Sequence, residues 1–127
     1  MSERRVVQGI AVLGGLQLAT GLALALVPGT FHQTLADFGA RNDHFLRDYS
    51  TYYLVTAAAL LMAIRRPSWR VPVLFIVTVQ YALHALNHLI DIGNSDPSWL
   101  GPFDFVALAS LTGLLGYILH SAARADR

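Results

Sequence analysis

The stretch Val73–Asp91, VLFIVTVQYALHALNHLID, decides the fold. It is long and apolar enough to cross a bilayer, which takes about 20 helical residues. Yet Gln80, His84, Asn87, His88 and Asp91 recur through it at helical spacing. At about 100° per residue they share one arc of roughly 100°. Ionisable groups at such depth are costly and usually face a protein interior, a cavity or a partner. The stripe predicts a membrane-spanning helix and the side of it on which function sits.

Composition agrees with a membrane setting. Of the 127 residues, 54% are hydrophobic and 13% charged. A soluble chain of this length could not hide that much apolar surface, so the lipid bilayer is the expected solvent. The length allows one domain, residues 1–127. There is no cysteine, which excludes disulfides, thiolate metal sites and cysteine nucleophiles. All nine basic residues are Arg, and the net charge is +1 with no basic tract to hold nucleic acid. No serine-nucleophile, phosphate-cradling or dinucleotide motif is present.

Four apolar runs each have the length of a membrane crossing: residues 6–27, 45–64, 71–90 and 103–120. Pro28-Gly29 stops the first and Arg65-Arg66-Pro67 the second. Pro72 suits the first turn of the third, and Pro102 precedes the fourth. The expected fold is all-α, an integral membrane four-helix bundle. A short interfacial helix over residues 30–39 is expected from Phe31, Leu35 and Phe38.

The charges sort by loop. Arg4, Arg5, Arg65, Arg66, Arg70, Arg124 and Arg127 fall at the two termini and the second loop. Only Arg41 and Arg47 fall on the other side, with six of the eight acids. The positive-inside rule places both termini in the cytoplasm. Ser2–Arg5 resembles the n-region of a signal peptide, but the run that follows is too long for an h-region and carries Gln17. Gly14, Gln17 and Gly21 share a face of the first span, and Ala109, Gly113 and Gly116 a face of the fourth. These small-residue seams are expected to admit a neighbouring helix or a second copy in a homodimer.

His84 and His88 stack on consecutive turns, and Asp91 follows one turn later. Such a pair can chelate a metal, with Asp91 and Asp48 as further ligands. A nitrogen and oxygen donor set suits a divalent transition metal: zinc, iron, manganese or copper. The second span runs antiparallel to the third and carries Arg47, Asp48 and Tyr52 near the same depth. If that face meets the stripe, the outer half of the bundle holds a polar pocket of Gln80, His84, Asn87, His88, Asp91, Asp48, Arg47 and Tyr52, with Asp104 entering from the fourth span. The inner half is then nearly dry. Against this, Asp48 and Asp104 each suit the first turn of a helix for the sake of its dipole alone, and each polar residue taken singly has a structural explanation. Five polar groups on one arc exceed what packing needs.

The runs Phe45–Leu54 (FLRDYSTYYL), Arg65–Leu74 (RRPSWRVPVL) and Gln80–Asp104 (QYALHALNHLIDIGNSDPSWLGPFD) resemble small four-span membrane proteins of actinobacteria, similar in size and helix count to DoxX-like proteins. The resemblance implies a multi-pass protein of the bacterial cytoplasmic membrane. It implies no activity, substrate or catalytic residue. Two functions stay open. One is a polar His/Asp/Asn cavity that binds a small amphiphile, a lipid or a membrane partner. The other is a metal-dependent membrane enzyme built on His84, His88 and a carboxylate at the outer leaflet.

Overall fold

The structure is a computed structural model that describes residues 1–125. Arg127, counted above with the cytoplasmic arginines, lies outside them. The described chain is all-helical. Its elements are α1 (Glu3–Leu26), α2 (Pro28–Leu35), α3 (Asp43–Arg65), a short 3-10 turn (Pro67–Trp69), α4 (Arg70–Ile90) and α5 (Leu100–Ala125).

Local chemistry sets most of these limits. Pro28 cannot continue α1 but suits the first position of α2. Asn42 caps α3 by accepting from the Phe45 amide at 3.0 Å. Pro72 sits in the first turn of α4, where its missing N–H leaves no bond unmade. The expected interfacial helix is shorter than its apolar spacing implied. It ends at Leu35, and Gly39, with φ +140°, turns the chain back through a conformation that favours glycine. His32 Nε2 closes this turn on the Gly39 carbonyl at 3.0 Å. The fourth apolar helix starts three residues ahead of its expected first residue, so Pro102 lies inside its first turn. The Gly101 amide donates to Ser95 Oγ at 2.8 Å, which anchors that turn.

Helix α1 lies along α3 and α4 along α5, and the two pairs meet through α3 with α4 and, more sparingly, α1 with α5. At the end bearing the chain termini the interior is dry. Val6, Ile10, Leu13, Leu60, Leu74, Val77, Leu115 and Ile118 pack there with little else. Arg70 ties this end together by donating to Glu3 Oε1 at 3.0 Å. At the opposite end, called here the far end, Leu24, Leu46 and Tyr53 form a smaller cluster under Phe31 and Tyr49. The two connections at the far end are joined where the Asp96 amide donates to the Asp37 carbonyl at 3.0 Å.

Between the two clusters lies a polar lock. Gln17, only 1% exposed, donates through Nε2 to Thr56 Oγ1 at 3.1 Å and accepts from Tyr81 Oη at 3.2 Å. One amide side chain thus joins α1, α3 and α4. The small-residue face of α1 behaves likewise: Gly14 meets Leu60 and Leu61, and Gly21 meets Tyr53 and Leu54. The matching face of α5 differs, for nothing approaches Gly113 or Gly116.

Three helical segments are long and apolar enough to cross a membrane: Glu3–Leu26, Pro67–Ile90 and Leu100–Ala125. Helix α3 is not among them, because Asp43, Arg47, Asp48 and Arg65 interrupt its apolar surface. The outer faces carry large apolar side chains turned away from the protein, with Val12, Leu26, Val55 and Ile90 each more than two-thirds exposed. Contiguous apolar surface of this kind marks a lipid-facing or interaction face.

Candidate functional site

The stripe on α4 splits between two cavities. His84 and His88 line both. Gln80, Asn87 and Asp91 line a groove of about 780 Å³ shared with Tyr52, Phe75 and Val79, where α4 meets α3. On their other side the two imidazoles face a cavity of about 560 Å³ between the helix pairs. Their i, i+4 spacing makes them a common wall.

The central cavity draws on every helix. Tyr53 and Tyr81 form its floor, just above the Gln17 lock. Phe31, Leu35 and Phe38, from α2 and the turn after it, roof it. Leu16, Thr20 and Leu24 of α1 face Ala107, Leu108 and Leu111 of α5 across its side. Leu16 and Ala107 are both exposed as well as lining, so the cavity reaches the outer surface between α1 and α5. These two helices come close nearer the termini, where a side chain on Gly9 would stand 2.9 Å from Ile118 Cδ1. The volume lies in the range of pockets for small molecules, which are mostly apolar with a few convergent polar groups.

The polar groups converge at one corner. Tyr49 Oη lies 3.5 Å from His84 Nδ1, a long contact. His84 Nε2 lies 3.1 Å from His88 Nε2. His88 Nδ1 lies 3.8 Å from Asp104 Oδ2, too far for a hydrogen bond. Phe38 meets the His88 ring edge-on at 4.8 Å between centroids. Both His88 Nδ1 and Asp104 Oδ2 are buried without a partner. Buried polar atoms are nearly always paired, so two orphans side by side on a cavity wall need an explanation. Tyr52 Oη and Gln80 Oε1 are orphaned in the same way around the groove.

Proton placement along the chain follows from Asp104. Only one of the two facing Nε2 atoms can carry a proton. If His84 donates, His88 holds its proton on Nδ1 and presents an N–H toward the carboxylate. Tyr49 can then donate to His84 Nδ1. The opposite order would set a bare imidazole nitrogen against an anionic oxygen. An ionised Asp104 selects the first arrangement.

Some expected residues lie elsewhere. Asp48 is exposed and pairs with His44 at 3.4 Å, one turn away on its own helix. Arg47 is exposed beside it and lines neither cavity. The face of α3 that meets α4 carries Tyr49 beside the expected Tyr52. Asp91, just past the end of α4, stays at the rim of the groove, exposed, and accepts from Asn94 at 3.0 Å. The expected metal set of His84, His88, Asp91 and Asp48 is therefore not gathered. Among the described residues no three His, Asp or Glu side chains come together as a metal ion would require. Tyr49 gave no sequence signal as a site residue, because tyrosines near a helix end read equally as interfacial anchors. Asp104 read equally as a dipole partner, and only the packing of α4 on α5 brings it to His88.

Outside comparison adds no relative: no protein-family model, curated protein or solved structure matches the chain.

Proposed function

We propose that this is a four-span membrane protein with both termini in the cytoplasm, whose far-end cavity binds a small amphiphile drawn from the lipid. The three strongly apolar helices cross outright. Helix α3 crosses with them, holding Arg47 and Asp48 within its first two turns, at headgroup level, where they keep their water. The arginine-rich connections then lie on the cytoplasmic side.

The observation that carries the binding reading is the central cavity itself. It is apolar where it opens between α1 and α5, and it ends at two orphaned polar atoms, His88 Nδ1 and Asp104 Oδ2. That is the shape of a site for a molecule with an apolar body and one polar head. Two buried polar atoms that face one cavity call for a polar partner inside it.

Native mass spectrometry of the protein released from mild detergent tests this. The expected result is one small-molecule adduct per chain, lost when Leu111→Trp fills the cavity mouth. A chain that carries no adduct after growth or after incubation with membrane lipids, wild type and variant alike, contradicts the reading.

A further inference from the structure

We infer that the amphiphile's head is an uncharged hydroxyl, an alcohol or phenol, seated between His88 Nδ1 and Asp104 Oδ2. This rests on the cavity reading above and goes on to name the ligand's chemistry.

The two orphaned atoms are 3.8 Å apart. An oxygen can stand about 2.8 Å from both at once. With Asp104 as a carboxylate, the site presents one donor, His88 Nδ1–H, and one acceptor, the Asp104 oxygen. A hydroxyl matches both, since it donates one proton and accepts through its lone pairs. A carboxylate or phosphate head only accepts. It would meet the Asp104 charge in a cavity that no Arg or Lys lines among the described residues. Arg41, three residues after Phe38 of the roof, is committed to Asp43, with Nη2 2.8 Å from Oδ2. An ammonium head would pair with Asp104 but would leave the His88 N–H without an acceptor, or force the proton order along the histidines to reverse. A site built to hydrogen-bond a hydroxyl disfavours analogues that leave its buried groups unpaired.

The chain of contacts behind His88 supports the choice. His84 holds the His88 ring through its Nε2, with Tyr49 behind His84, so the ring presents its Nδ1 edge toward Asp104. Asp104 stands on α5 and His88 on α4, so a bound hydroxyl would join the two helices at a point where they have no bond of their own.

The test uses the full chain in bicelles of zwitterionic lipid, with its histidines labelled by ¹⁵N. Three probes share a decyl chain and differ in the head: 1-decanol, decanoate and decylammonium. The expected result is saturable movement of the His88 Nδ1 resonance with decanol, at least about tenfold tighter than with either charged probe. Asp104→Leu should weaken decanol about tenfold and remove its advantage. The probe series on the unaltered chain stands even if that variant folds poorly. Equal or tighter binding of decanoate or decylammonium, with the same imidazole shifts, overturns the hydroxyl assignment and leaves the cavity reading intact. Failure of all three probes to move either imidazole overturns both.

Discussion

His84 Nε2 stands 3.1 Å from His88 Nε2, across one turn of α4. That contact fixes one ring through the other. It turns two residues of a sequence pattern into a single device with one free nitrogen, His88 Nδ1. Replacing His84 with Leu removes the hold while leaving His88 in place. The expected effect is about tenfold weaker amphiphile binding, the usual cost of a lost buried hydrogen bond plus a freed ring. Retained adduct occupancy in His84→Leu would show that the pair is only packing.

The Gln17 lock should be worth a measurable share of the fold. Gln17→Leu leaves Thr56 and Tyr81 without their interhelical partner. Interhelical hydrogen bonds in membranes average well under 2 kcal/mol each, so about 1–2 kcal/mol is expected for the two together. Unfolding by sodium dodecyl sulfate from bicelles measures it, and an unchanged midpoint would deny the lock its role.

Two glycines predict opposite signs. A Cβ on Gly21 would stand 2.9 Å from Leu54 Cγ and 3.1 Å from Tyr53 Cβ, both close to the backbone of α3. Gly21→Ala should therefore loosen α1 from α3 by about 1–3 kcal/mol. Gly113 meets nothing within 4 Å, so Gly113→Ala should be neutral or gain up to about 1 kcal/mol from helix propensity. The same unfolding assay separates them. Equal effects would contradict the packing described.

Membrane orientation has a direct readout because the chain has no cysteine. Ser68 lies in the tight turn before α4, and Ser98 in the connection before α5; both are exposed. In intact cells Ser98→Cys should react with an impermeant maleimide, and Ser68→Cys only after lysis. The reverse pattern would invert the proposed topology, and reaction of both would end it.

Acid should break the contact between Arg41 and Asp43. Arg41 holds the Asp43 carboxyl below its usual range, chiefly by their hydrogen bond. The folded-state value is lowered, so the pair's contribution is present at neutral pH. It is lost as pH falls through Asp43's depressed pKa. Carboxyl NMR should find Asp43 titrating below ordinary Asp, and back in the ordinary range in Arg41→Ala. An unshifted Asp43 in the parent chain would contradict the contact.

Helices were legible in the sequence because their signals are local. Pro28, Pro67 and Pro72 mark ends that the structure keeps. The inward-looking histidines were legible too, since i, i+4 spacing on a helix needs no tertiary knowledge. What the sequence hid depends on rotation of one helix against another. Tyr49 rather than Asp48 faces His84, while Tyr52, which lies between those two directions around α3, still reaches the groove. The carboxylate at His88 comes from α5, not from α3, because α4 lies along α5 for its length. The apolar spacing of α2 ran past Leu35 because Phe38 keeps the helical interval while Gly39 turns the chain and delivers Phe38 to the His88 ring.

The proposed ligand enters between α1 and α5 and sits in a cavity walled by His84 and His88. Photolabelling in bicelles with a long-chain alcohol carrying a diazirine at its tail, followed by mapping of the labelled residues, reads this out. Labels should concentrate on Leu16, Leu24, Leu108 and Leu111, be lost with Leu111→Trp and be competed by unlabelled alcohol. Labels spread over the outward residues Val12, Val55 and Val106, indifferent to both, would contradict it.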